Sequence, residues 1–140
     1  MENEEKDTIK VIVVAPGKIP ELIEIPDELK SMQTIVGGYI EEIFPFEDEI
    51  ALVCNEEGRL EDLPLNRALV YMKTGEVMDV IYGTFFLAYA PVEEDSYKDM
   101  PPDLTEKYMK IFAKPERFYK TPQGLVIEKC DPKCTSKDAR

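Results

Sequence analysis

Apolar and β-branched residues fill Thr8-Ile9-Lys10-Val11-Ile12-Val13-Val14, which predicts a strand buried over most of its length. Pro16-Gly17 is turn punctuation, and Glu21-Leu22-Ile23-Glu24-Ile25 predicts a second strand paired to the first as a hairpin. The period then changes. Leu29, Met32, Ile35 and Val36 fall at helical spacing, with Pro26 or Asp27 suited to the helix start and Gly37-Gly38 to its end. Tyr39-Ile40-Glu41-Glu42-Ile43-Phe44 reads as a strand closed by Pro45, which favours a sheet edge. Glu49 to Cys54 is the next strand, followed by an Asn55-Glu56-Glu57-Gly58 turn. Leu63-Pro64-Leu65-Asn66-Arg67-Ala68-Leu69 is expected to form a short helical turn led by Pro64. Val77 to Tyr82 fits strand and helix equally, while Thr84 to Tyr89 has the content of a central strand. Leu104, Tyr108, Ile111 and Phe112 mark an amphipathic helix after Pro101-Pro102, acidic at its start and basic at its end. Leu125-Val126-Ile127 adds one short strand, and Lys133 to Arg140 reads as a tail.

These elements make an α+β chain: a single domain with a mixed or antiparallel sheet of about five or six strands and two or three helices. The expected organisation is a disordered acidic N-terminus over 1–7, an α+β core over 8–114 and a basic, partly ordered C-terminal extension over 115–140. A length of 140 residues fits one domain, and 44% apolar residues supply a real core. No apolar run approaches the roughly 20 residues of a membrane helix. The acidic opening, Met1 to Asp7, is the opposite of a signal or transit peptide, so a cytoplasmic setting is expected.

Charge sharpens the picture. The net charge is −12, but residues 1–104 carry 8 basic and 24 acidic side chains, a balance of −16, whereas 105–140 carry 9 and 5, a balance of +4. An acidic body repels a phosphate backbone, so no duplex DNA binding is expected. It suits a partner with a basic surface, although the same charge also serves solubility alone. The chain contains no His, which removes His-based triads and most catalytic metal sites. Cys54 closes an apolar run as a small buried hydrophobe. Cys130 and Cys134 form a C-x-x-x-C pair that lacks the further ligands of a structural zinc site, so no metal and no cofactor is expected.

Five segments stand in a characteristic order: Ile35-Val36-Gly37-Gly38-Tyr39-Ile40-Glu41, Pro45-Phe46, Cys54-Asn55-Glu56-Glu57-Gly58, Leu63-Pro64-Leu65-Asn66-Arg67-Ala68-Leu69 and Gly83-Thr84-Phe85-Phe86-Leu87. The opening Ile9 to Lys18 fits with them. Over residues 8–112 the chain resembles a family of small domains of unknown function from Gram-positive bacteria, their phages and conjugative elements. The resemblance implies a phage or mobile-element context and brings no activity, substrate or catalytic residue with it.

Among candidate site residues, Gly37-Gly38 lacks the further glycines of a phosphate loop and reads as a helix stop. Asn66 and Arg67 are polar residues inside an apolar segment. Between Lys30 and Lys98 the only cations are Arg59, Arg67 and Lys73. Arg67 suits either an anchor for a carboxylate or phosphate, or an internal clamp to an acid such as Glu41, Glu56 or Asp79. Tyr39 suits stacking on a planar ligand, and Asn55 joins the set beside its turn role. Glu41-Glu42 lie on a strand, where neighbours point to opposite faces and cannot chelate together, and Glu56-Glu57 and Glu93-Glu94-Asp95 are turn or loop acids, so all three groups read as solvated. Two functions follow. The first is a non-enzymatic, acidic accessory protein of a phage or mobile element that binds a host macromolecule, as a counter-defence factor would. The second is an oligomeric binder that sequesters a small anionic, nucleotide-like ligand with Arg67, Asn66, Tyr39 and Asn55.

Overall fold

The computed structural model describes residues 7–71 and 73–130. The acidic N-terminal segment before Asp7, the tail from Lys133 to Arg140 and Cys134 lie outside the described residues. The described chain contains nine strands and two helices in the order β1 (Thr8–Val14), β2 (Glu21–Pro26), α1 (Leu29–Val36), β3 (Ile40–Ile43), β4 (Ile50–Asn55), β5 (Leu65–Val70), β6 (Val77–Tyr82), β7 (Phe85–Tyr89), α2 (Pro102–Ile111), β8 (Glu116–Thr121) and β9 (Gly124–Lys129).

A five-stranded antiparallel sheet in the order β2-β1-β7-β4-β3 forms the centre, so the fold is α+β. The strands read from 9–14, 49–54 and 84–89 are its middle three. Every residue of β4 is buried, because both faces of the sheet are covered. Val11, Ala51, Val53 and Phe86 pack on one face against Met32 and Val36 of α1. Ile12, Leu52, Phe85 and Leu87 pack on the other, against Tyr108 and Phe112 at α2 and Leu69 and Ile81 of a separate β5–β6 hairpin. Helix α1 stops where Gly37 takes the left-handed conformation (φ 80°) and returns its N–H to the Gln33 carbonyl at 2.8 Å. Helix α2 starts with Pro102 and carries Asp103 in its first turn and Lys110 in its last, as its dipole favours.

Two sequence expectations are corrected. Leu63–Leu69 is not a helical turn: from Leu65 onward it is β5, paired with β6, which also settles Val77–Tyr82 as strand. Pro64 precedes the strand, where its missing N–H costs no ladder bond, and its carbonyl accepts Gly83 N–H at 2.6 Å. Gly83 has φ 82°, and a Cβ there would lie 2.8 Å from Leu63 Cδ1, so only glycine closes this corner. The C-terminal extension holds a complete hairpin, β8–β9, in place of the single strand expected at 125–127.

Candidate functional site

Asn66 and Arg67 have no solvent-accessible surface. They sit on β5, whose residues 66–69 are all buried because the strand is sandwiched between the main sheet and the C-terminal hairpin. Asn66 Nδ2 donates to the carbonyls of Val14 and Gly83, each at 2.8 Å. Arg67 Nη1 donates to Asn66 Oδ1 at 3.0 Å, and Nη2 donates to the carbonyls of Lys18 at 2.6 Å and Phe112 at 3.0 Å. Arg67 Nε has no partner among the described residues. Burial lowers the guanidinium pKa, and the Glu116 charge opposes that shift. The acids expected to clamp Arg67, namely Glu41, Glu56 and Asp79, do not touch it; backbone carbonyls take their place. Glu116 is itself held, with Oε1 accepting Ala68 N–H at 2.8 Å and Oε2 accepting Lys129 Nζ at 2.9 Å. The cluster therefore ties β1, β5, the end of α2 and the β8–β9 hairpin together, and it presents no opening to a ligand.

Tyr39 and Asn55 lie apart from that pair and meet at a shallow cleft of about 480 Å³ beside Gly37 and Gly38. Tyr39 is 70% exposed, whereas Asn55 is buried. Asn55 Nδ2 donates to the Val36 carbonyl at the end of α1 (3.2 Å), and Oδ1 accepts Glu57 N–H at 2.7 Å. Its amide is thus occupied in a helix end and a turn. The approach is close enough that a Cβ on Gly38 would lie 2.8 Å from Asn55 Nδ2.

A groove of about 580 Å³ opens on the α1 side of the sheet, alongside the end of β3. Its apolar lining includes Met32, Phe44, Ala90, Pro91 and Val92, and four carboxylates join it: Asp27, Glu42, Glu94 and Asp95. No lysine or arginine lines it; Lys98 approaches Glu94 at 3.6 Å from outside. Tyr97 donates its hydroxyl to Glu42 Oε2 and fixes that carboxylate. Burial, this hydrogen bond and the Glu42 charge push the Tyr97 pKa well above its ordinary value. Glu41 points to the other face of β3, into a cleft of about 290 Å³ with Cys54, Glu56, Asp79 and Tyr82. There Arg59 reaches Asp79 at 3.5 Å and lies 5.2 Å over the Tyr82 ring. Burial, with Glu41 and Asp79 nearby, raises the Cys54 thiol to about 11.

A second large groove, of about 590 Å³, runs between α2 and the turn of the β5–β6 hairpin. Phe46, Val70, Met78, Tyr108 and Ile111 give it an apolar wall, and Lys73 and Lys107 stand on it with Glu47 and Glu76. Asp48 pins α2 here: its Oδ2 accepts Lys107 Nζ at 2.7 Å and the Tyr108 hydroxyl at 2.8 Å. Those two hydrogen bonds hold the Asp48 carboxyl below the usual carboxylate range.

The sequence groups Arg67, Asn66, Tyr39 and Asn55 as one binding set; the structure brings only Tyr39 and Asn55 to one cleft and places Asn66 and Arg67 elsewhere, in the core. Sequence reasoning does not assemble the groove beside β3: it gives Asp27 a helix-start role, reads Glu42 and Asp95 as solvated acids and does not single out Tyr97. The signal available was the scarcity of cations between Lys30 and Lys98. Among the described residues no cluster of three or more Cys, Asp or Glu is arranged to hold a metal ion, and no helix is long and apolar enough to cross a membrane.

A protein-family model described as Domain of unknown function (DUF3846) matches residues 9–113, which spans β1 to the end of α2. No curated protein and no solved structure matches the chain.

Proposed function

The chain belongs to this family of domains of unknown function, DUF3846, and we propose that it is a non-enzymatic binding module that docks a basic segment of a partner macromolecule in the groove beside β3. The observation that carries the reading is the lining of that groove: four carboxylates, an apolar floor and no cation. Such a surface attracts lysine and arginine heads and accommodates their aliphatic stems. It also disfavours anionic partners, nucleic acid included. The setting implied by the sequence resemblance, an accessory protein of a phage or mobile element acting on a host macromolecule in the cytoplasm, is part of this proposal.

The second reading, a binder of a small anionic ligand, moves away from Asn66 and Arg67, which are fully buried and whose Nδ2, Nη1 and Nη2 atoms already donate within the protein. The groove under α2 supports it, because Lys73 and Lys107 flank an aromatic wall there. Fluorescence anisotropy with a labelled lysine-rich peptide separates the two. The first reading expects salt-sensitive binding that weakens about tenfold in the Glu42→Gln/Asp95→Asn double variant and is unchanged in Lys73→Ala. Equal binding by the double variant and the wild type would refute it.

A further inference from the structure

We infer that the segment docked at this groove binds in extended form, adding to β3 as a sixth strand of the central sheet; the inference rests on the binding role proposed above. β3 is one of the two edge strands of the sheet and uses one edge only, with Ile40 opposite Asn55 through to Ile43 opposite Leu52. The Tyr39 carbonyl accepts Glu56 N–H at 2.8 Å, which makes residues 39 and 56 a hydrogen-bonded pair. Antiparallel alternation then turns the backbone groups of Glu41 and Ile43 toward β4 and those of Ile40 and Glu42 outward. Among the described residues no backbone group pairs with the outward N–H and C=O of Ile40 and Glu42. An open row of donors and acceptors of this kind is a template for an added strand.

The side chains of the same strand define what is admitted. Successive residues point to opposite faces, and each face of β3 carries a cleft with acids in excess: Glu42 with Asp27 and Asp95 on one side, and Glu41 with Glu56 on the other, where the cation present, Arg59, is already paired with Asp79. A strand with basic side chains on both faces meets carboxylates on both. A second copy of this chain, presenting its own Glu41 and Glu42, meets like charge directly across the new ladder and is repelled. The acids that guard the edge against self-pairing therefore select a basic extended segment.

The test uses the full chain and two fluorescein-labelled nonapeptides of lysine, threonine and valine, with lysines at both odd and even positions. One is unmodified. The other carries N-methyl groups on its central amides, which keeps every side chain and charge but removes the backbone donors. Hydrogen–deuterium exchange at Ile40 and Glu42 is followed together with affinity. Strand addition expects the methylated peptide to bind about tenfold more weakly or worse, and the unmodified peptide alone to slow exchange at both amides. If exchange at Ile40 and Glu42 stays unchanged while both peptides bind, strand addition is overturned and the acidic docking role survives. If neither peptide binds, both are overturned.

Discussion

Replacing Arg67 by alanine strips the part-buried Lys18 carbonyl and the buried Phe112 carbonyl of a donor, and frees the buried Asn66 Oδ1 as well. Each unsatisfied buried acceptor costs about 1–3 kcal/mol, and the truncated stem leaves a cavity. Against this, the variant no longer buries a guanidinium whose Nε lacks a partner among the described residues. Glu116 is not stranded, because Ala68 N–H and Lys129 still bind it. The net loss expected for Arg67→Ala is about 2–5 kcal/mol from the unpaired acceptors and the cavity, a large part of the roughly 5–15 kcal/mol of an ordinary domain. Arg67→Met keeps the stem and removes only the charge and its donors, so it isolates the carbonyl contribution at about 2 kcal/mol. Urea titration of the three proteins at neutral pH, with the slope of the transition constant, measures both differences. A loss below about 1 kcal/mol for the alanine variant would refute the clamp. A methionine variant as stable as wild type would show that the carbonyl bonds add nothing beyond packing.

Gly83→Ala should destabilise by about 1–3 kcal/mol through its positive φ and the overlap with Leu63, and Leu63→Ala in the same chain should recover the steric part only; thermal melts of the single and double variants check this. The Asp48 carboxyl has a folded-state pKa below its unfolded value, so its stabilising bonds to Lys107 and Tyr108 are present above the unfolded pKa, near 4, and are lost as pH falls through the lowered folded value. Melting temperatures from pH 6 to 2 should therefore fall less in Asp48→Asn than in wild type, and parallel curves would count against the latch. With its thiol raised to about 11, Cys54 should resist iodoacetamide at pH 8 in the native protein and react fully in urea; mass spectrometry of the Cys54 peptide reads the outcome, and rapid native labelling would contradict its burial.

The central sheet was legible because its strands announce themselves locally. Val11–Val14, Ile50–Cys54 and Phe85–Tyr89 are continuous apolar runs, as strand segments covered on both faces must be. Leu65–Val70 was not legible, since Pro64 and the polar Asn66-Arg67 pair break its pattern. Those side chains are satisfied by carbonyls 17 to 52 residues away, which no local window contains. The C-terminal hairpin is only half legible: Leu125-Val126-Ile127 is apolar, but its partner Glu116–Thr121 sets two aromatics between charged residues with no period-2 alternation and depends on Glu116 entering the core. The acidic groove was legible only as a charge excess, because Asp27, Glu42 and Asp95 come from three separate segments that the fold brings together.

The position of Arg67 at the meeting point of the chain also sets an order of events during synthesis. Its carbonyl partners lie 49 residues before it and 45 after it, and Glu116, which anchors the neighbouring Ala68, comes 48 after that residue. While the ribosome is still making residues 68–111, β1 can already pair with β2, but the guanidinium still lacks its Phe112 acceptor. A chain emerging at about 5–20 residues per second therefore spends several seconds with an arginine that cannot yet be buried. Closure of the core is a late, long-range step of the kind that slows folding. It begins when Phe112 and Glu116 clear the exit tunnel, so the domain completes itself from its C-terminal side.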